Sequence, residues 1–311
     1  MILFRHSPSK VTSEMTTILS ADTTRRLPAG DHLRAAIAST DFVPLMGIYD
    51  VFSATLAANH FDGLFVSGFG FGASHYGLPD MGFNSWSDIV AFVQRIRTVL
   101  PAHHVMVDID DGFGDVEVAC HVVALLEAAG ASGVILEDQA RPRRCGHFDG
   151  KRILPLEDTL ERLNRVLQTR NRLFVVARTD ASGRDEILRR VAAYSETAAD
   201  AILVDGIGDT HLITEIRAVT DKPLAFNQIS GGASKARTFE ELRDAGVALP
   251  IYSTPCLFAA QAAITDTLNR LQFRGSLNDC DSGVALSDCN EILVSNLLRR
   301  DIAGIPNNQK I

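Results

Sequence analysis

The chain has 311 residues, 46% of them hydrophobic, and a formal net charge of −8. That length fits one α/β barrel as well as two smaller domains, and the acidic balance, with no Lys/Arg run, excludes nucleic acid, because phosphate binding needs concentrated cations. No apolar run reaches the roughly 18 residues that span a bilayer, "MILF" is too short for a signal-peptide core, and five scattered cysteines without CxxC spacing fit neither a disulfide framework nor a thiolate zinc site.

We therefore expect a cytoplasmic protein with no membrane partner. Residues 1–28 are polar, rich in Ser and Thr and aperiodic, which predicts a flexible tail with Met15 as a candidate start; residues 29–311 are expected to form a single domain. In "AGDHLRAAIAS" the spacing predicts a helix that Asp31 can cap.

Eight short β-branched runs follow in order: "VPLMGIYD" (43–50), "GLFVSG" (63–68), "HVMVDID" (104–110), "GVILED" (133–138), "LFVVART" (173–179), "AILVDG" (201–206), "PLAFNQ" (223–228) and "ALPIYST" (248–254). Amphipathic stretches such as "WSDIVAFVQRIRTVL" and "VEVACHVVALLEAAG" lie between them. Apolar strands alternating with helices imply a parallel sheet buried on both faces, and eight such units predict an α/β fold of the (β/α)8 TIM-barrel class. The rival is an open doubly wound sheet. It is disfavoured because "GFGFGAS" follows the second run rather than the first, and no early helix or acidic residue completes a dinucleotide pattern.

Each run ends in polar groups: Asp50, Ser67, Asp108 with Asp110, Glu137, Arg178, Asp205, Asn227, and Ser253 with Thr254. In a parallel barrel these ends share the face where barrel enzymes keep their chemistry. One loop carboxylate alone would read as a solvated cap, but the set reads as a site. Asp108 and Asp110, two apart on a strand, are expected to point the same way, with Glu137 ending the adjacent strand. Three hard oxygen donors suit Mg2+ or Mn2+; the alternative is mutual repulsion relieved by arginines. Arg178, ending an apolar strand, can grip a carboxylate or neutralise neighbouring acids. A metal and an arginine together describe a receptor for a 2-oxo acid. In "RPRRCGHFDGK" a lone thiol, Cys145, stands beside Arg143, Arg144 and His147 in a glycine-bearing loop, a setting unlike that of a packed core cysteine.

The stretches "SGFGFGASHYGLPDMG", "DIDDGFGD", "EDQARPRRCGHFDGK" and "ARTDA", in this order, resemble the isocitrate lyase and phosphoenolpyruvate mutase superfamily from about Leu33 through "LSDCNEILVSNLL". The Cys-Gly-His loop is similar to that of its lyase branch, which includes methylisocitrate lyase, dimethylmalate lyase and petal death protein. The resemblance implies a barrel whose last helix is exchanged between subunits, a homotetramer built as a dimer of such dimers, and Mg2+ near Asp108, Asp110 and Glu137. It also implies substrate contacts at Ser67, Gly68, Phe69, Cys145, Gly146, Arg178, Asp205, Asn227 and Ser230, and an acid, Asp80, beside the metal. Cys145 would protonate the carbanion left by carbon–carbon cleavage, its pKa tuned by Arg143, Arg144 and His147 as the loop closes.

Five departures bear on the substrate. Phe65 stands where methylisocitrate and isocitrate lyases carry tyrosine; Phe258 stands where an arginine serves a third carboxylate; Ser230 and Asp205 replace glutamates; and Arg143 replaces a lysine. An apolar ring cannot neutralise a carboxylate, so the expected substrate is a small 2-hydroxy or 2-oxo carboxylic acid of the substituted-malate class, cleaved by retro-aldol chemistry. Alternatives are hydrolysis or decarboxylation of oxaloacetate, phosphonopyruvate processing, or a non-catalytic binding protein on a decayed barrel.

Overall fold

A computed structural model describes residues 27–148, 150–208, 210–276 and 283–302. The expected tail at residues 1–28 falls almost wholly outside them, as do Met15 and Cys280. The chain alternates α1 (Ala29–Thr40), β1 (Leu45–Ile48), α2 (Val51–Ala57), β2 (Gly63–Val66), α3 (Gly68–His75), α4 (Trp86–Val99), β3 (His104–Asp108), α5 (Val116–Ala128) and β4 (Gly133–Glu137). It continues with α6 (Leu156–Thr169), β5 (Phe174–Thr179), α7 (Arg184–Ser195), β6 (Ala201–Val204), α8 (Thr210–Val219), β7 (Leu224–Gln228), α9 (Phe239–Asp244), β8 (Val247–Tyr252), α10 (Pro255–Arg274) and α11 (Leu286–Ile302).

Each strand pairs in parallel with the next, and β8 returns to β1 with Ile251 opposite Leu45, so the sheet closes into an eight-stranded barrel. Every expected strand is present. Strand alternation sorts the side chains. Leu64, Val66, Val105, Val107, Val134, Leu136, Val175 and Ala177 face the helices and join one large core, whereas Phe65, Met106, Ile135, Val176, Leu203, Ala225 and Ile251 fill the barrel interior. Two residues beyond each of these interior positions, on the same face, come Ser67, Asp108, Glu137, Arg178, Asp205, Asn227 and Ser253. The period of two that buries the interior therefore delivers the polar ends to one mouth.

Helix α1 seals the opposite end. Leu33 and Ile37, four residues apart on one helix face, join the interior cluster, and Arg34 binds Asp200 at 2.8 Å. Asp31 lies in the first turn and pairs with Arg34 at 2.9 Å rather than capping the helix, which starts after Pro28. The glycine run after β2 also departs from expectation, since it opens helix α3: the Ser67 hydroxyl accepts the Gly70 N–H at 3.3 Å and nucleates the first turn. Asp50 takes the bland role for a strand-end acid, capping α2 by accepting the Ser53 N–H at 2.6 Å.

Candidate active site

Six carboxylates, two guanidiniums, a thiol and an imidazole converge at the C-terminal mouth. Asp108 ends β3, but Asp110 does not continue the strand; its backbone is left-handed (φ 52°). The two acids converge because the chain turns, with the Asp110 N–H donating to Asp108 Oδ1 at 3.1 Å. A left-handed non-glycine residue is strained and persists where surrounding structure holds it; here the Asp110 carbonyl accepts the Glu137 N–H from the neighbouring strand at 3.0 Å.

Arg178, on β5, makes two hydrogen bonds to Asp180 at 2.9 and 3.0 Å. Its Nη2 also lies 2.8 Å from Asp205 and 3.3 Å from Glu137, while Nη1 stands 3.9 Å from Asp108 and is the less engaged end. Burial works to raise the Asp205 pKa, but Arg178 and the hydrogen bonds from His147 and Asn227 outweigh it, holding the carboxyl well below its usual range. Asn227 donates to Asp205 at 3.0 Å and accepts from the Ser253 hydroxyl at 2.7 Å, so β6, β7 and β8 present one aligned chain of groups.

The loop that follows β4 is folded over this cluster. Arg143 is buried and reaches Asp80 at 2.5 Å, Asp110 at 3.0 Å and Glu137 at 3.0 Å. His147 Nδ1 accepts the Ala233 N–H at 3.1 Å, which leaves the proton of a neutral ring on Nε2, 3.3 Å from Asn227 and 3.5 Å from Asp205. Lys151 donates to the Gly146 carbonyl and, at 3.3 Å, to Asp180. Gly146 lies against Asp205, Arg178 and Asp180 so tightly that no side chain fits there. Between these anchors Cys145 is 8% exposed. Burial pushes its thiol up to about 12, with Asp80 and Asp205 adding to the rise and His147 and Arg178 opposing it. The expectation that Arg143 and Arg144 tune this thiol needs correction: Arg143 spends its charge on carboxylates, and Arg144 is exposed.

Ser67 and Gly68 sit at the α3 N-terminus, and a side chain on Gly68 would come 3.1 Å from Asp110 and 3.3 Å from Asp108. Phe69 meets Phe258 edge to face at 6.2 Å, forming an apolar wall. Ser230 is exposed in the turn after β7, and that loop reaches the cluster through Ala233. Sequence reasoning missed Asp180, Lys151 and the anchoring role of Arg143. Asp180 had a signal, standing two residues beyond Arg178 in "ARTDA"; Lys151 had none, because its contact is made across the fold.

The carboxylate set fits a hard divalent cation in chemistry. Asp110 Oδ1 and Glu137 Oε2 are buried without a hydrogen bond, their arginine neighbours being close in charge but not aligned to donate. Burial pushes Glu137 up to about 8 and raises Asp108 and Asp110 as well, against the pull of Arg143 and Arg178, which marks a pocket short of positive charge. Among the described residues no three His, Cys, Asp or Glu side chains stand in ready-made ligand geometry.

Comparison with known proteins agrees with this architecture. A family model described as phosphoenolpyruvate phosphomutase matches residues 33–272. The petal death protein of Dianthus caryophyllus is 32% identical over 258 residues, covering 81% of each chain. The 2,3-dimethylmalate lyase of Eubacterium barkeri is 29% identical over 270 residues, 84% of this chain and 92% of that one. The solved structure of oxaloacetate acetylhydrolase with the inhibitor 3,3-difluorooxalacetate superposes with a TM-score of 0.82 at 28% identity, covering 90% of this chain and 98% of the other. With the closed barrel and the match across most of its length, the chain belongs to the phosphoenolpyruvate phosphomutase family, within the isocitrate lyase and phosphoenolpyruvate mutase superfamily.

Proposed function

We propose that this chain is a Mg2+-dependent carbon–carbon lyase that cleaves a substituted malate or a similar 2-hydroxy acid into a 2-oxo acid and a carboxylate. What supports this most is the setting of Cys145, a buried thiol that stays protonated at neutral pH on a loop closed over Arg178. A general acid needs its proton at the working pH and a site free of competing water.

Asp108, Asp110 and Glu137 would hold Mg2+ or Mn2+, which would stabilise negative charge on the oxygens of a 2-oxo acid. Arg178 offers Nη1 to the substrate's C1 carboxylate, and Asp180 and Asp205 hold the guanidinium in place. In the reaction the C2 hydroxyl gives its proton up to solvent water, the C2–C3 bond breaks, and C2 becomes a carbonyl. The electron pair stays on C3. The Cys145 thiol gives its proton to C3, and the thiolate regains one from water when the loop opens. The Phe69–Phe258 wall suits an alkyl substituent and offers no charge for a third carboxylate.

Exposure of Ile264, Leu268 and Phe273 on α10 supports subunits that exchange this helix within a tetramer. Among the described residues no helix is long and apolar enough to cross a membrane. Likeness to oxaloacetate acetylhydrolase makes oxaloacetate hydrolysis the second reading.

An NMR time course of the purified protein with Mg2+ and a mixture of 2-methylmalate, 2,3-dimethylmalate, methylisocitrate, oxaloacetate and phosphonopyruvate, with an EDTA control, tests the proposal. Metal-dependent loss of a malate with formation of a 2-oxo acid is the expected result. Loss of oxaloacetate alone would replace the lyase with the hydrolase or decarboxylase, and metal-independent turnover would remove the cation from the scheme.

A further inference from the structure

Arg143 is the one guanidinium in this site contributed by a loop rather than a strand. Its side chain is 2% exposed, yet Nη1 reaches Asp80, Nη2 reaches Asp110 and Nε reaches Glu137, all within 3.0 Å. The carboxylates it meets are themselves at most 6% exposed. Gly82 packs along the aliphatic stem, where a Cβ would be 3.6 Å from Cγ, so the arginine lies in a fitted channel and not in bulk solvent. Two of its three partners, Asp110 and Glu137, also belong to the set proposed to hold the divalent cation.

One guanidinium and one divalent cation drawing on the same buried carboxylates oppose each other, because like charges a few ångströms apart repel strongly where water is scarce. As folded, the loop contributes that guanidinium, and any opening of the loop would withdraw it. A planar fork with five donors can bind three separate carboxylates at once, which a lysine ammonium at this position would do less completely.

We propose that Arg143 is a positioning residue, the resident counter-cation of the Asp80–Asp110–Glu137 cluster, whose insertion closes the loop of residues 141–148 and opposes divalent-cation binding until an anionic ligand adds its own charge. This rests on the cation site proposed above. The loop then seals fully when metal and substrate are both present, and the free enzyme shields Cys145 without either.

The test uses Mn2+ as the probe. Its affinity is measured by EPR for the full-length wild type, Arg143→Gln and Arg143→Lys, and the rate of iodoacetamide labelling at Cys145 is followed by peptide mass spectrometry with and without Mn2+. The expected result is Mn2+ binding at least about tenfold tighter in Arg143→Gln, an intermediate value in Arg143→Lys, and labelling that Mn2+ accelerates in the wild type but not in Arg143→Gln. A merely damaged fold would weaken Mn2+ binding, the opposite direction. Equal or weaker binding in Arg143→Gln, with the wild type still binding, would overturn the counter-cation role and leave the metal site standing. Failure of all three proteins to bind Mn2+ would remove the metal site itself, and the inference with it. Binding by Arg143→Gln alone would support the inference in its strongest form.

Discussion

A Cβ built on Gly146 would lie 1.9 Å from Oδ2 of Asp205. The loop glycine and the carboxylate that follows β6 thus touch in a way that any side chain forbids, and the same Cβ would meet Arg178 Nη2 at 2.4 Å. Gly146→Ala should hold the loop off the site without disturbing the barrel. We expect kcat/KM to fall by about 100-fold or more, with a thermal midpoint close to that of the wild type, measured by steady-state kinetics and calorimetry on the same sample. A small kinetic effect would mean that the closed loop is not the reacting conformation.

The Cys145 thiol, pushed up to about 12 chiefly by burial, is protonated throughout the neutral range. Its alkylation by iodoacetamide should be slow at pH 7 and rise about tenfold per pH unit up to pH 10 without levelling, since the thiolate is the nucleophile. Cys145→Ser should lower turnover by about 10²- to 10⁴-fold with little change in ligand binding. An alkylation plateau near pH 8 would indicate an activated thiolate and a different role.

Asp138, fully buried beside Glu137, accepts hydrogen bonds from the Asp180 N–H, Thr179, Arg190 and Tyr194 at 2.9, 2.6, 2.8 and 2.9 Å. All four partners are donors. Asp138→Asn turns an amide N–H2 toward them and leaves Arg190 without that charge, so we expect a loss of about 3–5 kcal/mol, read from urea denaturation. A loss below about 1 kcal/mol would show that the network rearranges freely.

His104, buried at the start of β3, has its pKa pushed down from 6.5 to about 4, mainly by burial and further by His32. The unfolded chain takes up this proton near pH 6.5 and the folded chain only near 4. Stability from this group is therefore whole above about pH 6.5 and is lost as pH falls toward 4, by roughly 3 kcal/mol at most. His104→Gln should flatten that part of the stability curve in chemical denaturation at pH 4 to 7. An unchanged slope would assign the acid sensitivity to other groups.

The order of eight strands, the barrel class and the residues at the strand ends were legible in the sequence, because a period of two and short β-branched runs are local properties that burial on both sheet faces makes visible. Asp108, Glu137, Arg178, Asp205 and Asn227 could be gathered on paper for the same reason: each continues an alternation whose apolar members fill the barrel. The family was legible too, from the ordered motifs and the Cys-Gly-His loop.

Other features needed the folded chain. Asp110 reaches Asp108 through a left-handed turn and not by strand alternation, and the glycine run after β2 becomes a helix once Ser67 caps it. The reach of Arg143 to Asp80 and of Lys151 to Asp180 joins residues 63 and 29 apart in the chain, so no local pattern encodes them. The rise of the Cys145 thiol was opposite to what its basic neighbours suggest, because a pKa answers to burial and to which charges are already paired, and both are settled only when the loop folds down onto the barrel.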